Sequence, residues 1–133
     1  ESSLKYNNIK FEIDIDKDCE VLGYPREFSQ AILNILSNAK DVLIEREIKN
    51  PYIKLSLKKG NKFALIKIQD NGGGVSDKVK DRLFEPYFTT KHAKQGTGIG
   101  LYMSKIIIEV NMHGFINVEN SEYGAIFTIK LAL

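Results

Sequence analysis

Near the start of the chain, apolar and polar residues alternate one by one. Phe11, Ile13 and Ile15 stand against Glu12, Asp14 and Asp16, which is the period of a half-buried β-strand. Val21 and Leu22 suggest a short second strand before the turn at Gly23. The period then changes. Pro25 is placed as a first-turn proline, and Phe28, Ile32, Ile35, Leu36, Ala39 and Leu43 recur at spacings of three and four. That pattern predicts an amphipathic helix from Pro25 to Arg46, and Asn50-Pro51 breaks the chain after it. Alternation returns from Tyr52 to Lys58, where Ile53, Leu55 and Leu57 oppose Lys54, Ser56 and Lys58. Gly60-Asn61 is a hairpin signal. Phe63 to Ile68 answers it as a strand, with Asp70 at its end. Val75 to Leu83 reads as a turn and a short helix, and Lys91 to Gln95 as a loop without periodicity. Leu101 to Met112 reads as a helix with Ile106, Ile107 and Val110 apolar. Phe115 to Val118 and Ala125 to Leu131 close the chain as two strands. Strands precede, separate and follow the helices, and two hairpins are present. The expected fold class is therefore α+β, a layered sandwich with a mixed, mostly antiparallel sheet.

Composition narrows the function classes. The 133 residues fit one domain, residues 1–133. With 43% hydrophobic and 27% charged residues the chain is an ordered globular protein. A net charge of +2 without a dense basic run gives no reason to expect nucleic acid. Cys19 has no partner for an intrachain disulfide, so a reducing compartment is expected and a small, semi-buried side chain is the plain role for it. No stretch approaches the ~18 apolar residues of a membrane span, and no signal peptide is visible. The chain opens at Glu1 rather than Met, and it is expected to be part of a longer protein.

Candidate chemistry gathers at four places. Asn34 and Asn38 are four apart on the predicted helix, so both amides lie on one face. An amide carbonyl is a hard oxygen that suits Mg²⁺, which keeps most of its waters and takes one or two protein ligands beside phosphate oxygens. Two solvated amides are the plainer alternative, although apolar neighbours on both sides set them toward the sheet. Asp70 ends a buried strand ahead of Gly72-Gly73-Gly74. A carboxylate there can accept a hydrogen bond from an amino group such as the adenine 6-amino group, and would repel the oxygen that guanine carries instead. Gly72 and Gly74 let the backbone approach the base and turn sharply; an ordinary Asp-Asn-Gly turn is the alternative. Gly96, Thr97, Gly98, Ile99, Gly100 and Leu101 lead into a helix. Its N-terminus offers free N–H groups and the positive end of a dipole to phosphate, a flexible glycine hinge being the alternative. The third glycine falls one place too early for a Rossmann fingerprint, and no Lys-Ser/Thr completes a Walker A loop. Phe84, Pro86, Tyr87 and Phe88 are packing residues, followed by the polar Thr89, Thr90 and Lys91.

In this order the four segments resemble the N, G1, F and G2 boxes of the GHKL (Bergerat-fold) ATPases, and specifically the catalytic, ATP-binding domain of a sensor histidine kinase. The resemblance runs from about Tyr24 to Leu131. It implies a two-layer sandwich with helices on one face of the sheet, and ATP and Mg²⁺ as cofactors. It implies Asn34 and Asn38 as catalytic residues, with Asn38 the Mg²⁺ ligand and Asn34 beside the phosphates. Nucleotide contacts are implied at Asn38, Asp41, Asp70, Gly72, Gly74, Lys91, Gly96, Thr97, Gly98, Ile99, Gly100 and Leu101. Lys91 would reach the terminal phosphate, and His92 to Gln95 would form a short ATP lid. Lys40 either approaches a phosphate or is an ordinary solvated lysine. The partners implied are the dimerisation domain of a parent protein, which carries the phospho-accepting histidine, and a response regulator. The domain itself is expected to be a cytoplasmic monomer without membrane contact, whether or not the parent is membrane-anchored.

Two positions depart from the pattern: Gly124 is followed by Ala125 rather than Thr, and His113-Gly114 by Phe115 rather than a second glycine. The only histidines are His92 and His113. His92 lies in the lid and His113 at a helix end, where a cap is its plain role, so the acceptor lies outside the chain. Asn34 stands where the gyrase, heat-shock and mismatch-repair ATPases carry a catalytic Glu, and an amide is no general base. ATP binding with little hydrolysis is the expectation. A nucleotide-dependent regulatory module, or a protein kinase like the anti-sigma-factor kinases, is the alternative within the same fold.

Overall fold

The computed structural model describes residues 8–17, 19, 23–86 and 100–133. Among the described residues five strands form one sheet: β1 (Lys10–Ile15), β2 (Tyr52–Lys59), β3 (Phe63–Asp70), β4 (Phe115–Asn120) and β5 (Ala125–Ala132), in the order β1-β2-β3-β5-β4. Only β1 and β2 run parallel; the other pairings are antiparallel. The helices are α1 (Pro25–Glu45), α2 (Asp77–Arg82) and α3 (Gly100–Lys105), the last continuing as a π-helical segment, Ile106–Asn111. Among the described residues no helix is long and apolar enough to cross a membrane.

Helix α1 starts where Pro25 supplies its fixed φ at the first turn. Ala31, Ile35, Ala39 and Leu43, each four residues on, form its buried line. The helix ends in a Schellman turn: Ile48 N–H donates to Leu43 O and Glu47 N–H to Ile44 O, both at 3.1 Å. Glu47 takes the left-handed position (φ 50°) usually given to glycine. The register puts Ile53, Leu55 and Leu57 on the same face as Ile68 and Ile66 of β3, and these join Phe127, Ile129 and Leu131 of β5 under the helices. Burying such a set supplies most of the stabilisation, about 1.5–3 kcal/mol per large side chain. The opposite face carries Lys54, Lys67, Gln69, Thr128 and Asn117, so the helices cover one side only.

Two elements differ from the periodicity. In the edge strand β1, Ile13 is 51% exposed, because α1 packs over β3 and leaves apolar hollows of about 210 and 390 Å³ beside Phe28, Leu57 and Ile66. In the helix after Gly100 the wider π turn moves Ile107 and Ile108 into the core and leaves Val110 59% exposed. Met112 N–H reaches back to Ile107 O and Gly114 N–H to Ile108 O. His113 occupies the left-handed position there (φ 56°). The proposed strand at Val21 and Leu22 lies outside the described residues.

Candidate nucleotide site

Strand β3 delivers Asp70 to the end of the sheet that faces the C-terminal half of α1, where it pairs with Ile53. The carboxyl is buried, 7% exposed. Its Oδ1 accepts from Gly72 N–H at 2.8 Å and Ala125 N–H at 3.4 Å, and Oδ2 has no partner among the described residues. Burial pushes the Asp70 pKa above the ordinary carboxylate value. The two backbone N–H groups and the Arg46 charge act in the opposite direction without cancelling it. A buried carboxylate is costly to a fold unless its oxygens are satisfied, and a raised pKa at such a position makes Asp70 a candidate ligand-facing group.

The loop after Asp70 is built around its glycines. A Cβ on Gly72 would stand 2.8 Å from Val42 Cγ1, so the loop lies directly against α1. Gly74 has φ 80°, and a Cβ there would fall 2.6 Å from Asn120 Oδ1. Asn120 in turn donates to Val75 O at 2.6 Å and accepts from Val75 N–H at 2.9 Å. Asn71 faces away, bonding Tyr52 N–H and Asn50 O. On the far side of Asp70, a Cβ on Gly124 would lie 2.2 Å from Asp70 O. The turn into β5 therefore closes on the carboxylate through backbone, which is how Ala125 serves with its N–H in a position without a hydroxyl.

Asn34 and Asn38 are half-buried on α1. Asn34 faces the helix after the glycine box rather than the sheet: its Nδ2 donates to Gly100 O at 3.1 Å and its Oδ1 accepts from Gln30 at 2.8 Å. Asn38 has no hydrogen-bond partner among the described residues, which leaves its carbonyl for a ligand. Asp41 is half-buried one helical turn further on. Gly100 opens α3 with ordinary space around it: a Cβ there would lie 3.7 Å from Asn34 Cβ. The Leu101 side chain is in the core, so only its backbone remains to face a ligand. Ser104, fully buried, ties α3 to α1 by donating to Ala31 O at 3.0 Å. Phe84 packs edge-on against Phe127 with centroids 6.1 Å apart, in keeping with the packing role read for it from the sequence. Lys91, Gly96, Thr97, Gly98 and Ile99, and the lid from His92 to Gln95, lie outside the described residues.

The donor set fits a magnesium nucleotide. Among the described residues no three His, Cys, Asp or Glu side chains stand together as a metal cage. A single free amide oxygen suits an ion that keeps its waters and is held mainly by phosphate. Sequence reasoning missed Arg46, whose guanidinium binds the glycine loop, and Asn120. A basic residue at a helix end and an Asn before a turn are too ordinary in sequence to single out.

The family described as histidine kinase-, DNA gyrase B-, and HSP90-like ATPase matches residues 23–133. The chain is 34% identical over 120 residues to the two-component sensor PprA of Pseudomonas aeruginosa, covering 85% of this chain and 12% of that protein. It is likewise 34% identical over 123 residues to the sensor histidine kinase GlnK of Bacillus subtilis, covering 88% of this chain and 30% of GlnK. The chain thus spans less than a third of these relatives. Among solved structures, the catalytic domain of histidine kinase ThkA superposes with a TM-score of 0.85 at 29% identity, covering 98% of this chain and 83% of that one. ThkA in complex with response regulator protein TrrA matches with a TM-score of 0.80 at 25% identity, covering 98% of this chain and 36% of that one.

Proposed function

Since the chain belongs to the histidine kinase-, DNA gyrase B- and HSP90-like ATPases, as a catalytic domain of the sensor histidine kinase type, we propose that it holds Mg²⁺-ATP and presents the γ-phosphoryl group to a histidine on a separate domain of its parent protein. The observation that carries this reading is Asp70: a buried carboxylate with Oδ1 fixed by two backbone N–H groups and Oδ2 free to accept from the adenine 6-amino group. Helix α1 sets the length of the site. Gly72 touches it at Val42 and Gly100 at Asn34, eight residues apart and about 12 Å along the axis. The triphosphate would lie along the helix from the base end to the Asn34 end, passing Asn38.

Asn38 would hold Mg²⁺ through its amide oxygen, and Asp41 would support the nucleotide beside it. The metal supplies neutralisation of phosphate charge, which together with positioning accounts for most of the catalysis in phosphoryl transfer. Lys91 and the segment Gly96 to Ile99 would serve the phosphates, with the backbone of Gly100 and Leu101. Asn34 cannot take a proton from water, and its amide is already engaged at both ends, so hydrolysis by this domain alone is expected to be slow. By analogy with ThkA, the phosphoryl group would pass from the histidine to a response regulator. The domain as residues 1–133, its monomeric state and its cytoplasmic place belong to the same proposal.

The test is transfer in trans. The domain is incubated with γ-labelled ATP, Mg²⁺ and the parent's histidine-bearing segment. Label should appear on the segment as an acid-labile phosphoramidate, and Asn38→Ala should abolish transfer while leaving metal-free ADP binding within about twofold. ATP binding without transfer would favour the regulatory-module alternative. Rapid phosphate release without transfer would favour a gyrase-like ATPase.

A further inference from the structure

Resting on the reading of Asp70 as the adenine acceptor, we propose that Arg46 is a positioning residue for base recognition: from the C-cap of α1 it fixes the glycine loop whose N–H holds Asp70. One nitrogen, Nη1, donates to Gly72 O at 2.6 Å and to Gly74 O at 2.8 Å. These carbonyls converge because Gly73 and Gly74 both adopt positive φ, 94° and 80°. Such a run has no side chains to pack, and glycine loses more freedom on ordering than any other residue. It needs an external tie to keep one shape. Gly73 N–H to Tyr123 O at 3.1 Å holds one flank and Asn120 on Val75 the other. Arg46 holds the centre. The peptide on each side of Gly72 is committed: its N–H to Asp70 Oδ1, its carbonyl to Arg46. Releasing the second frees the first.

The turn that ends α1 aims the guanidinium. The Schellman bonds of Glu47 and Ile48 stop the helix at Arg46, so the side chain leaves at the level of the loop. A cation at a helix C-terminus also interacts favourably with the helix dipole. A role limited to that would not need bonds to carbonyls 26 and 28 residues further along. The positive charge beside Asp70 also favours its ionised form, the one that accepts from adenine.

Titration calorimetry on the wild type, Arg46→Met, Arg46→Lys and Asp70→Asn separates the possibilities. Arg46→Met should weaken ATP and metal-free ADP alike, by roughly tenfold for loss of a charge-assisted contact, and should reduce the preference for ATP over GTP. Arg46→Lys should recover most of the affinity, because a single nitrogen makes both bonds. Arg46→Gln replaces the Met variant if that variant does not fold. ATP affinity within twofold of wild type in Arg46→Met, or a loss confined to ATP and absent for ADP, would overturn the proposal. So would equal losses in the Met and Lys variants. Failure of the adenine reading itself looks different: the wild type would bind ATP and GTP equally, or Asp70→Asn would keep its ATP.

Discussion

Asp70 carries two opposed duties. Burial raises its pKa, so the folded chain binds the proton more readily than the unfolded chain does. The sign is the reverse of a salt-bridged carboxylate. At neutral pH the ionised group costs the fold stability. As pH falls through the folded-state pKa toward the ordinary aspartate value, the native state takes up a proton that the unfolded state does not, and the cost is relieved. Asp70→Asn removes the charge at every pH. The amide carbonyl must stay with the N–H groups of Gly72 and Ala125, so its NH₂ takes the place of Oδ2 and meets the adenine amino group donor to donor. The variant should therefore be at least as stable as wild type at pH 7, with the gap closing on acidification through that window. Urea melts across pH measure this; a gap independent of pH would show that Asp70 is not a buried, ionised group at neutrality.

At the scale of elements, the site is where the end of β3, the C-terminal half of α1 and the β4–β5 turn meet. The turn is closed by Ser121 N–H to Gly124 O at 2.7 Å, and Gly124 lies against the Asp70 backbone. Gly124→Ala should force β5 away from Asp70, lower stability by about 1–3 kcal/mol as overpacking does, and weaken ATP by at least as large a factor as Arg46→Met. A melt within 0.5 kcal/mol of wild type, the usual range for a neutral surface change, would show that the turn yields freely. The elements themselves were legible because their periods are clean: α1 and strands β2, β3 and β5 follow the pattern of Ile53, Ile66, Ile129 and their neighbours. The π turn at Ile106–Asn111 was not legible, because the same apolar residues fit either helical period; in the structure it is Ile107 and Ile108 that enter the core. Nor was the exposure of Ile13, since alternation reports a sheet face and not whether a helix covers it.

On the scale of the whole molecule, one sheet and one long helix make both ends of the proposed site. The core under α1 fixes the distance between the Asp70 end and the Asn34 end, and the loops attach to that frame. The residues proposed for the two ends, Asp70 and the Asn34–Asn38 pair, could be singled out in sequence because four motifs follow one another in one order; each alone also fits an ordinary turn or a pair of solvated amides. Arg46, Asn120 and the backbone of Ala125 were not, because their roles come from approach in space across 26 to 55 residues of chain. The central claim is that this frame reads adenine through one buried carboxylate. Calorimetric titration of the wild type and Asp70→Asn with ATP and GTP tests it most directly. The wild type should bind ATP and discriminate against GTP, and Asp70→Asn should lose ATP affinity by roughly tenfold or more, the worth of a charged hydrogen bond. Equal affinity of the wild type for the two nucleotides, or undiminished ATP binding by Asp70→Asn, would contradict it.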